Sequence, residues 1–173
     1  MTPESFSLKG KVVVQCGGTG LLGRELVTGI GRAGATLIVG TRDPAKFGPD
    51  LERARQAGVE VQVEPLIVSS EESVIAFRDA VLAKHGRVDG LVYNTVSRPM
   101  TGVKPHAEEW RDSMETNATG YYLTLNAFAE TMAKQETGGS IVSISSMMGM
   151  IGPNPHNYTG TAMSAMPDYF FHK

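Results

Sequence analysis

Cys16-Gly17-Gly18-Thr19-Gly20-Leu21-Leu22-Gly23 is the stretch on which the fold turns. It follows a β-branched run, Lys11 to Gln15, and leads into a helix-length stretch, Leu21 to Ala33. Glycines between a strand and a helix let the backbone turn tightly and approach a pyrophosphate closely. The helix behind them then offers free N–H groups and its positive end to the phosphates. A glycine-rich turn alone is common. The strand before it and the helix after it supply the context in which it binds a dinucleotide.

Working outward, further strand-like runs lie at Thr36 to Val39, Val59 to Ile67, Val88 to Tyr93 and Ser140 to Ile144. They alternate with helix-length stretches around Pro49 to Ala57, Glu71 to His85 and Asn117 to Lys134. Strands alternating with helices predict βαβ units and a parallel sheet, and Val- and Ile-rich runs suit strands covered on both faces. In the stretch from Glu71, Val74, Phe77, Val81 and Leu82 recur at helical spacing with charged residues between them. Gly34, Gly58 and Gly86 each follow a helix, where a left-handed cap favours glycine. Residues 149–167 carry Gly152, Pro153, Pro155, Gly160 and Pro167 and read as a loop. Asp168 to Lys173 read as the first turns of a helix with Pro167 at its start. No linker divides residues 1–173, which form a single expected domain.

With 173 residues, 41% hydrophobic and 20% charged, the composition is that of a globular domain and not of a disordered chain. A net charge of -2, with Lys and Arg scattered, argues against nucleic acid as a partner, because no basic surplus exists to displace counterions. No apolar run reaches membrane-spanning length, so no membrane partner is expected, and the expected location is cytoplasmic. The single cysteine, Cys16, excludes an internal disulfide and reads as a small buried residue. His85, His106, His156 and His172 share no metal-ligand spacing, so no metal site is expected.

The end of the second strand reads Val39-Gly40-Thr41-Arg42-Asp43. An acidic residue there bonds the ribose 2′-hydroxyl of NAD, whereas an arginine accommodates the 2′-phosphate of NADP. Thr41 with Arg42 beside it favours NADP(H), with NAD(H) the alternative. Arg42 reads otherwise as a solvated charge, and Asp43 as the cap of the next helix.

The later motifs extend this reading. Val92-Tyr93-Asn94-Thr95-Val96 is similar to a strand-end motif of the short-chain dehydrogenase/reductase family, with Asn94 kept and its neighbours changed. Met114-Glu115-Thr116-Asn117-Ala118-Thr119-Gly120 resembles the segment carrying that family's structural and catalytic asparagine, here Asn117. Gly139-Ser140-Ile141-Val142-Ser143-Ile144-Ser145-Ser146 resembles the strand leading to its catalytic serine, Ser146 by register with Ser145 the fallback. The resemblance covers essentially the whole chain in the family's order. It implies a doubly wound α/β sheet, the Rossmann fold, with strand order 3-2-1-4-5.

The family's chemistry needs a Tyr-x-x-x-Lys pair. Four residues apart on a helix, the two side chains share a face. A free phenol, with a pKa of about 10, is too weak an acid or base near neutrality until a neighbouring cation favours the phenolate. Tyr158 stands nearer the family's usual separation from Ser146, but its fourth neighbour is Ala162, and Pro153, Pro155 and Gly160 disfavour a helix there. Tyr169 has Lys173 four residues on and follows Pro167. We therefore assign the pair to Tyr169 and Lys173, with an expanded loop before them.

The resemblance implies an NAD(P)-dependent oxidoreductase acting on a small ketone or secondary alcohol. It implies that Ser146 binds the substrate oxygen and Tyr169 transfers the proton. Lys173 would hold the ribose and tune the tyrosine, and Asn117 would position a water. Cofactor contacts fall to Gly17, Thr19, Gly20, Leu22, Gly23, Thr41, Arg42, Val68, Asn94, Tyr169 and Lys173. Leu66-Ile67-Val68 replaces the family's frequent aspartate at the adenine, which leaves backbone and packing contacts there. A non-catalytic dinucleotide sensor or scaffold is the alternative. The chain also reads as C-terminally truncated, ending at the start of the Tyr169 helix. Its lysine is then expected on a frayed turn and the isolated chain inactive, whereas the full-length form is expected to be a homo-oligomer.

Overall fold

The computed structural model describes residues 4–100, 107–152, 154–161, 163 and 166–173; His106, Pro153 and Ala162 lie outside the described residues. Strands β1 (Val12–Cys16), β2 (Thr36–Thr41), β3 (Val61–Pro65), β4 (Gly90–Tyr93) and β5 (Ser140–Ser143) form one parallel sheet in the order β3-β2-β1-β4-β5. The helices are α1 (Leu21–Arg32), α2 (Gly48–Gln56), α3 (Glu71–His85), α4 (Ala107–Met114), α5 (Gly120–Ala133) and α6 (Pro167–His172). This is the doubly wound sheet and the strand order that the sequence implies.

Every residue of β1 is buried, because both faces of the sheet are covered. Val12, Val14 and Cys16 face one core with Phe77, Val81, Phe128 and Met132 from α3 and α5. Val13 faces the other with Val27, Phe47 and Ala54, on the α1 and α2 side. Phe77 and Phe128 meet edge to face at 6.0 Å, which fixes α3 against α5. Within α3 the buried positions are Val74, Phe77 and Val81, as their spacing predicts. Ser70 caps its start by accepting a hydrogen bond from the Ser73 N–H. Gly34, Gly58 and Gly86 all take the expected left-handed conformation.

Two element boundaries differ from the sequence reading. The helix expected from Asn117 begins at Ala107 and runs through a widened π turn, Glu115–Thr119, into α5. Trp110 of α4 packs on Phe171 of α6 with ring centroids 5.0 Å apart and anchors the two helices to each other. β3 is shorter than the expected run because Val59 leaves the ladder and is buried with α1 and α2. The methionines near the long loop are largely solvated: Met147, Met150 and Met163 are exposed.

Asp89 ties three strands together. Its N–H donates to Val12 O at 2.8 Å, its Oδ2 accepts from Val12 N at 2.9 Å, and its carbonyl accepts from Ser140 N at 2.9 Å. Arg87 and Lys11 both pair with its carboxylate. Burial alone would raise its pKa, but the Val12 N–H and the Arg87 guanidinium outweigh burial and hold it below the usual carboxylate range. A depressed carboxyl pKa contributes stability above the ordinary aspartate value, and that stability is lost as pH falls through the depressed one. Asp89→Ala also leaves the Val12 N–H unpaired, at a cost of about 1–3 kcal/mol near pH 7. In urea titrations, the gap between parent and variant should narrow below about pH 4. A gap independent of pH would remove the electrostatic part of this account.

Candidate active site

The glycine turn leaves β1 at the point where strand order reverses, with β2 on one side and β4 on the other. Gly17 sits at φ 84, where L side chains are strained, and a Cβ there would lie 2.8 Å from the Asn94 carbonyl carbon. Asn94 Nδ2 donates to Gly17 O at 2.9 Å, and Asn94 N donates to Cys16 O at 2.9 Å. A Cβ on Gly23 would lie 2.3 Å from Gly17 O, so the first turn of α1 can approach the loop only as glycine. Gln15, polar and fully buried within β1, donates through Nε2 to Gly23 O at 2.9 Å. Gly20 caps α1 without a side-chain hydrogen bond, and Thr19, Gly20, Leu21 and Leu22 are exposed. The turn is therefore an open cradle with uncapped N–H groups. Beneath it, Cys16 is fully buried, and burial pushes its thiol up to about 12. At that value it stays protonated near neutrality and is inert as a nucleophile.

At the end of β2, Thr41 is half-buried and Arg42 is exposed and pairs with no described residue. Asp43 accepts from Ala45 N at 3.1 Å and caps the turn Pro44–Phe47, as expected. Leu66 and Val68 are buried. A Cβ on Gly120 would lie 2.8 Å from a Val68 methyl, so Val68 lies against the start of α5.

A cavity of about 190 Å³ opens beyond β4 and β5, lined by Tyr93, Thr95, Asn117 and Tyr121 on one side. Ser143, Ile144, Ser145, His172 and Lys173 line the other. Asn117, in the π turn, is buried, and its amide is used on both sides. Its Oδ1 accepts from Ser97 N at 2.8 Å, and its Nδ2 donates to Ser97 O at 2.7 Å and Ser113 Oγ at 2.9 Å. Asn117 thereby holds the loop after β4. Lys173 Nζ donates to Ile144 O at 2.7 Å, and Ser145 Oγ donates to Lys173 O at 2.5 Å. The lysine is thus held on the sheet end and not frayed. Burial, with the Arg98 guanidinium adding to it, holds its pKa below the usual lysine range.

Asn117, Ser145 and Lys173 thus share the cavity, and Ser146 and Tyr169 are not among its lining residues. The Ser146 hydroxyl accepts from Met148 N at 3.2 Å and caps a short turn. The Tyr169 ring stands against His172 at 5.7 Å and beneath Arg98, whose Cζ lies 5.7 Å from its centroid. Tyr158 ends a separate turn, Pro155–Tyr158. Sequence reasoning missed Tyr121 and Ser143, whose hydroxyls are 3.0 Å apart at the cavity edge. Tyr121 lies four residues after Asn117 and Ser143 two before Ser145, spacings that place them beside residues already singled out.

Comparison with known proteins agrees with this fold. Residues 11–163 match the sequence pattern of the short chain dehydrogenase family. The chain belongs to that family. It is 26% identical over 150 residues to the 5-keto-D-gluconate 5-reductase of Escherichia coli K12, covering 86% of this chain and 59% of that protein. A metagenomic short-chain oxidoreductase crystallised with NADP is 30% identical, with a TM-score of 0.75, over 96% of this chain and 71% of that one. The NAD+-bound structure of a xylitol dehydrogenase, 24% identical with a TM-score of 0.82 over 96% of this chain and 60% of that one, shares the fold. The chain thus spans about three-fifths of the length of the reductase it matches. The family match includes Tyr158 and stops before Tyr169 and Lys173.

The two glycines at the turn's ends make opposite predictions. Gly17→Ala forces a side chain into the left-handed region and onto Asn94, at a cost of about 1–3 kcal/mol. Gly20, with open space around its Cβ position, should tolerate alanine at less than about 1 kcal/mol. Urea midpoints of the two variants check this, and equal costs would contradict the close-approach argument.

Proposed function

We propose that this chain is the dinucleotide-binding portion of an NAD(P)-dependent oxidoreductase, acting on a small ketone or secondary alcohol. The observation that carries the reading is the glycine cradle at the strand-order reversal, opening beside a polar cavity that holds Asn117, Ser145 and Lys173. Gly17, Thr19, Gly20, Leu22 and Gly23 would hold the pyrophosphate by backbone N–H groups. Thr41 and Arg42 would hold the adenosine ribose, and Val68 the adenine side by backbone and packing. Asn94, Tyr169 and Lys173 would serve the nicotinamide side. The nicotinamide, when bound, supplies or accepts the hydride. The chain's own groups orient the substrate and move the proton. Ser146 would bind the substrate oxygen, with Ser145 favoured in its place by its position on the cavity. Tyr169 would carry the proton, with Lys173 beside it and Asn117 positioning a water.

Two alternatives have a specific observation behind them. The family match ends after Tyr158, which favours Tyr158 as the proton carrier. The sensor reading is favoured by the Lys173 ammonium being bonded to Ile144 O, and by the absence of Tyr169 from the cavity lining.

Titration calorimetry with both cofactors tests the binding half. NADPH should bind more tightly than NADH, and Arg42→Ala should cost NADPH about tenfold while leaving NADH nearly unchanged. Equal affinities in the parent would reverse the cofactor assignment. The catalytic half is read from NADPH oxidation against a panel of ketones. Where turnover occurs, Tyr169→Phe should lower kcat by about a hundredfold or more at unchanged NADPH affinity, with Tyr158→Phe much milder. The reverse order would move the proton carrier to Tyr158. NADPH binding with no turnover on any ketone would favour the sensor.

A further inference from the structure

The hydroxyl protons around the cavity can be followed one by one. The Tyr93 phenol donates to Thr116 O at 3.4 Å, and the Thr95 side chain bonds to the same phenol. Ser145 Oγ donates to Lys173 O. Both N–H groups of the Asn117 amide are taken, by Ser97 O and Ser113 Oγ. Tyr121 and Ser143, the other two hydroxyls of the described lining, meet only each other among the described residues, at 3.0 Å. A hydroxyl has one proton and two lone pairs, so a bonded pair uses one proton and keeps the second. Whichever of the two donates, one O–H is left without an acceptor among the described residues. No described carboxylate lines the cavity to take it.

The pair is held from both sides by one residue. The Tyr121 ring stands edge to face on the Tyr93 ring, with centroids 5.2 Å apart and planes at 84°. Tyr93 is itself buried, and its phenol is tied to Thr116. Ser143 ends β5 directly opposite Tyr93 of β4 in the parallel ladder. One hydroxyl therefore comes from α5 and the other from the sheet, and both are exposed where a ligand would enter. A ligand hydroxyl suits this pair best. It can accept the remaining O–H and donate to a remaining lone pair, whereas a carbonyl only accepts and an alkyl group does neither.

We infer that the Tyr121–Ser143 pair binds a neutral hydroxyl of the ligand, so that the cavity prefers hydroxyketones and their diols to plain ketones. Ser145 lines the same cavity two residues along the chain, which sets that hydroxyl a short way from a carbonyl held there. A volume of about 190 Å³ suits a ligand of this size. The inference rests on the oxidoreductase reading only in taking this ligand to be the substrate; as a hydroxyl site it stands without it.

The probes are 4-hydroxybutan-2-one and pentan-2-one, which share a shape and differ by a hydroxyl in place of a methyl group. Both are titrated into the protein, with affinity read from protein-observed NMR shifts. The hydroxyketone should bind about fivefold more tightly. Tyr121→Phe, which keeps the ring on Tyr93, and Ser143→Ala should each reduce the preference to about twofold or less, and the double variant should show none. Each change removes only an exposed oxygen, and the same spectra report that the fold is kept. Equal binding of the two probes to the parent, binding of neither, or a preference that survives in the double variant would each overturn the proposal. So would an equal loss of affinity for both probes in the variants, which is what a merely structural role predicts. NADPH affinity is measured on the same proteins. NADPH binding without the hydroxyl preference sinks this inference and leaves the oxidoreductase reading; the preference without NADPH binding does the reverse.

Discussion

The approach of Gly17 to Asn94 is the contact on which the rest of the molecule depends. β1 and β4 lie side by side and parallel, with Cys16 opposite Tyr93, so the chains leaving them emerge at the same height. The backbones there are close enough that a Cβ at Gly17 would strike Asn94 and Thr95. A left-handed turn carries the chain away, which costs glycine little and other residues of order 1–3 kcal/mol. Once it is made, α1 is aimed back over the sheet and the end of β1 is left open.

Two asparagines then fix what borders that opening. Asn94 reaches back to Gly17 O, and Asn117 reaches back to both backbone polar groups of Ser97. Each removes backbone groups from a loop's list of unmet partners, a net gain of roughly 1 kcal/mol per bond. The penalty for losing one is larger, because a part-buried N–H or carbonyl would go unpaired. Asn117 achieves its reach through the π turn, which breaks the α-helical register and joins α4 to α5. Such widened turns recur at functional sites because the extra residue re-aims a side chain without ending the helix. One substitution at either asparagine should therefore loosen a loop and leave the sheet intact.

What was legible in the sequence follows from how local each signal is. The strand order could be inferred because glycine turn, buried strands and amphipathic helices are each specified within a few residues, and the family resemblance joined them. α3 was readable to the residue because its apolar spacing, its Ser70 cap and its Gly86 terminator agree. The start of α4 was missed because no period marks it: Trp110 is held by Phe171, which lies far along the chain. The short extent of β3 was missed for a similar reason, since Val59 is apolar in either role and is taken by the helical layer. The candidate site was legible as a set of residue types and less so as a set of positions. Ser145 and Ser146 are indistinguishable by type, and only the direction of each hydroxyl, toward Lys173 O or Met148 N, separates them.

The same limit applies to the Tyr-x-x-x-Lys spacing. Four residues apart on a helix fixes that two side chains share a face, and says nothing about where that face points. In α6 the residue turned fully inward is Asp168, and its partner four residues on is His172. Tyr169 and Lys173 sit one step around the helix, on the flank between that buried face and solvent. From there the flexible lysine bonds to Ile144 O at the sheet end, while the rigid tyrosine ring lies along the Arg98 loop. Flexibility, as much as spacing, decides which member of the pair arrives at the cavity. A lysine's flexible stem can redirect its ammonium, whereas a phenol's direction is set by its rigid ring. The two residues can therefore share a helical face and still serve different sides of the site, and the Arg98 guanidinium then falls beside the tyrosine in the place the spacing alone would give to the lysine.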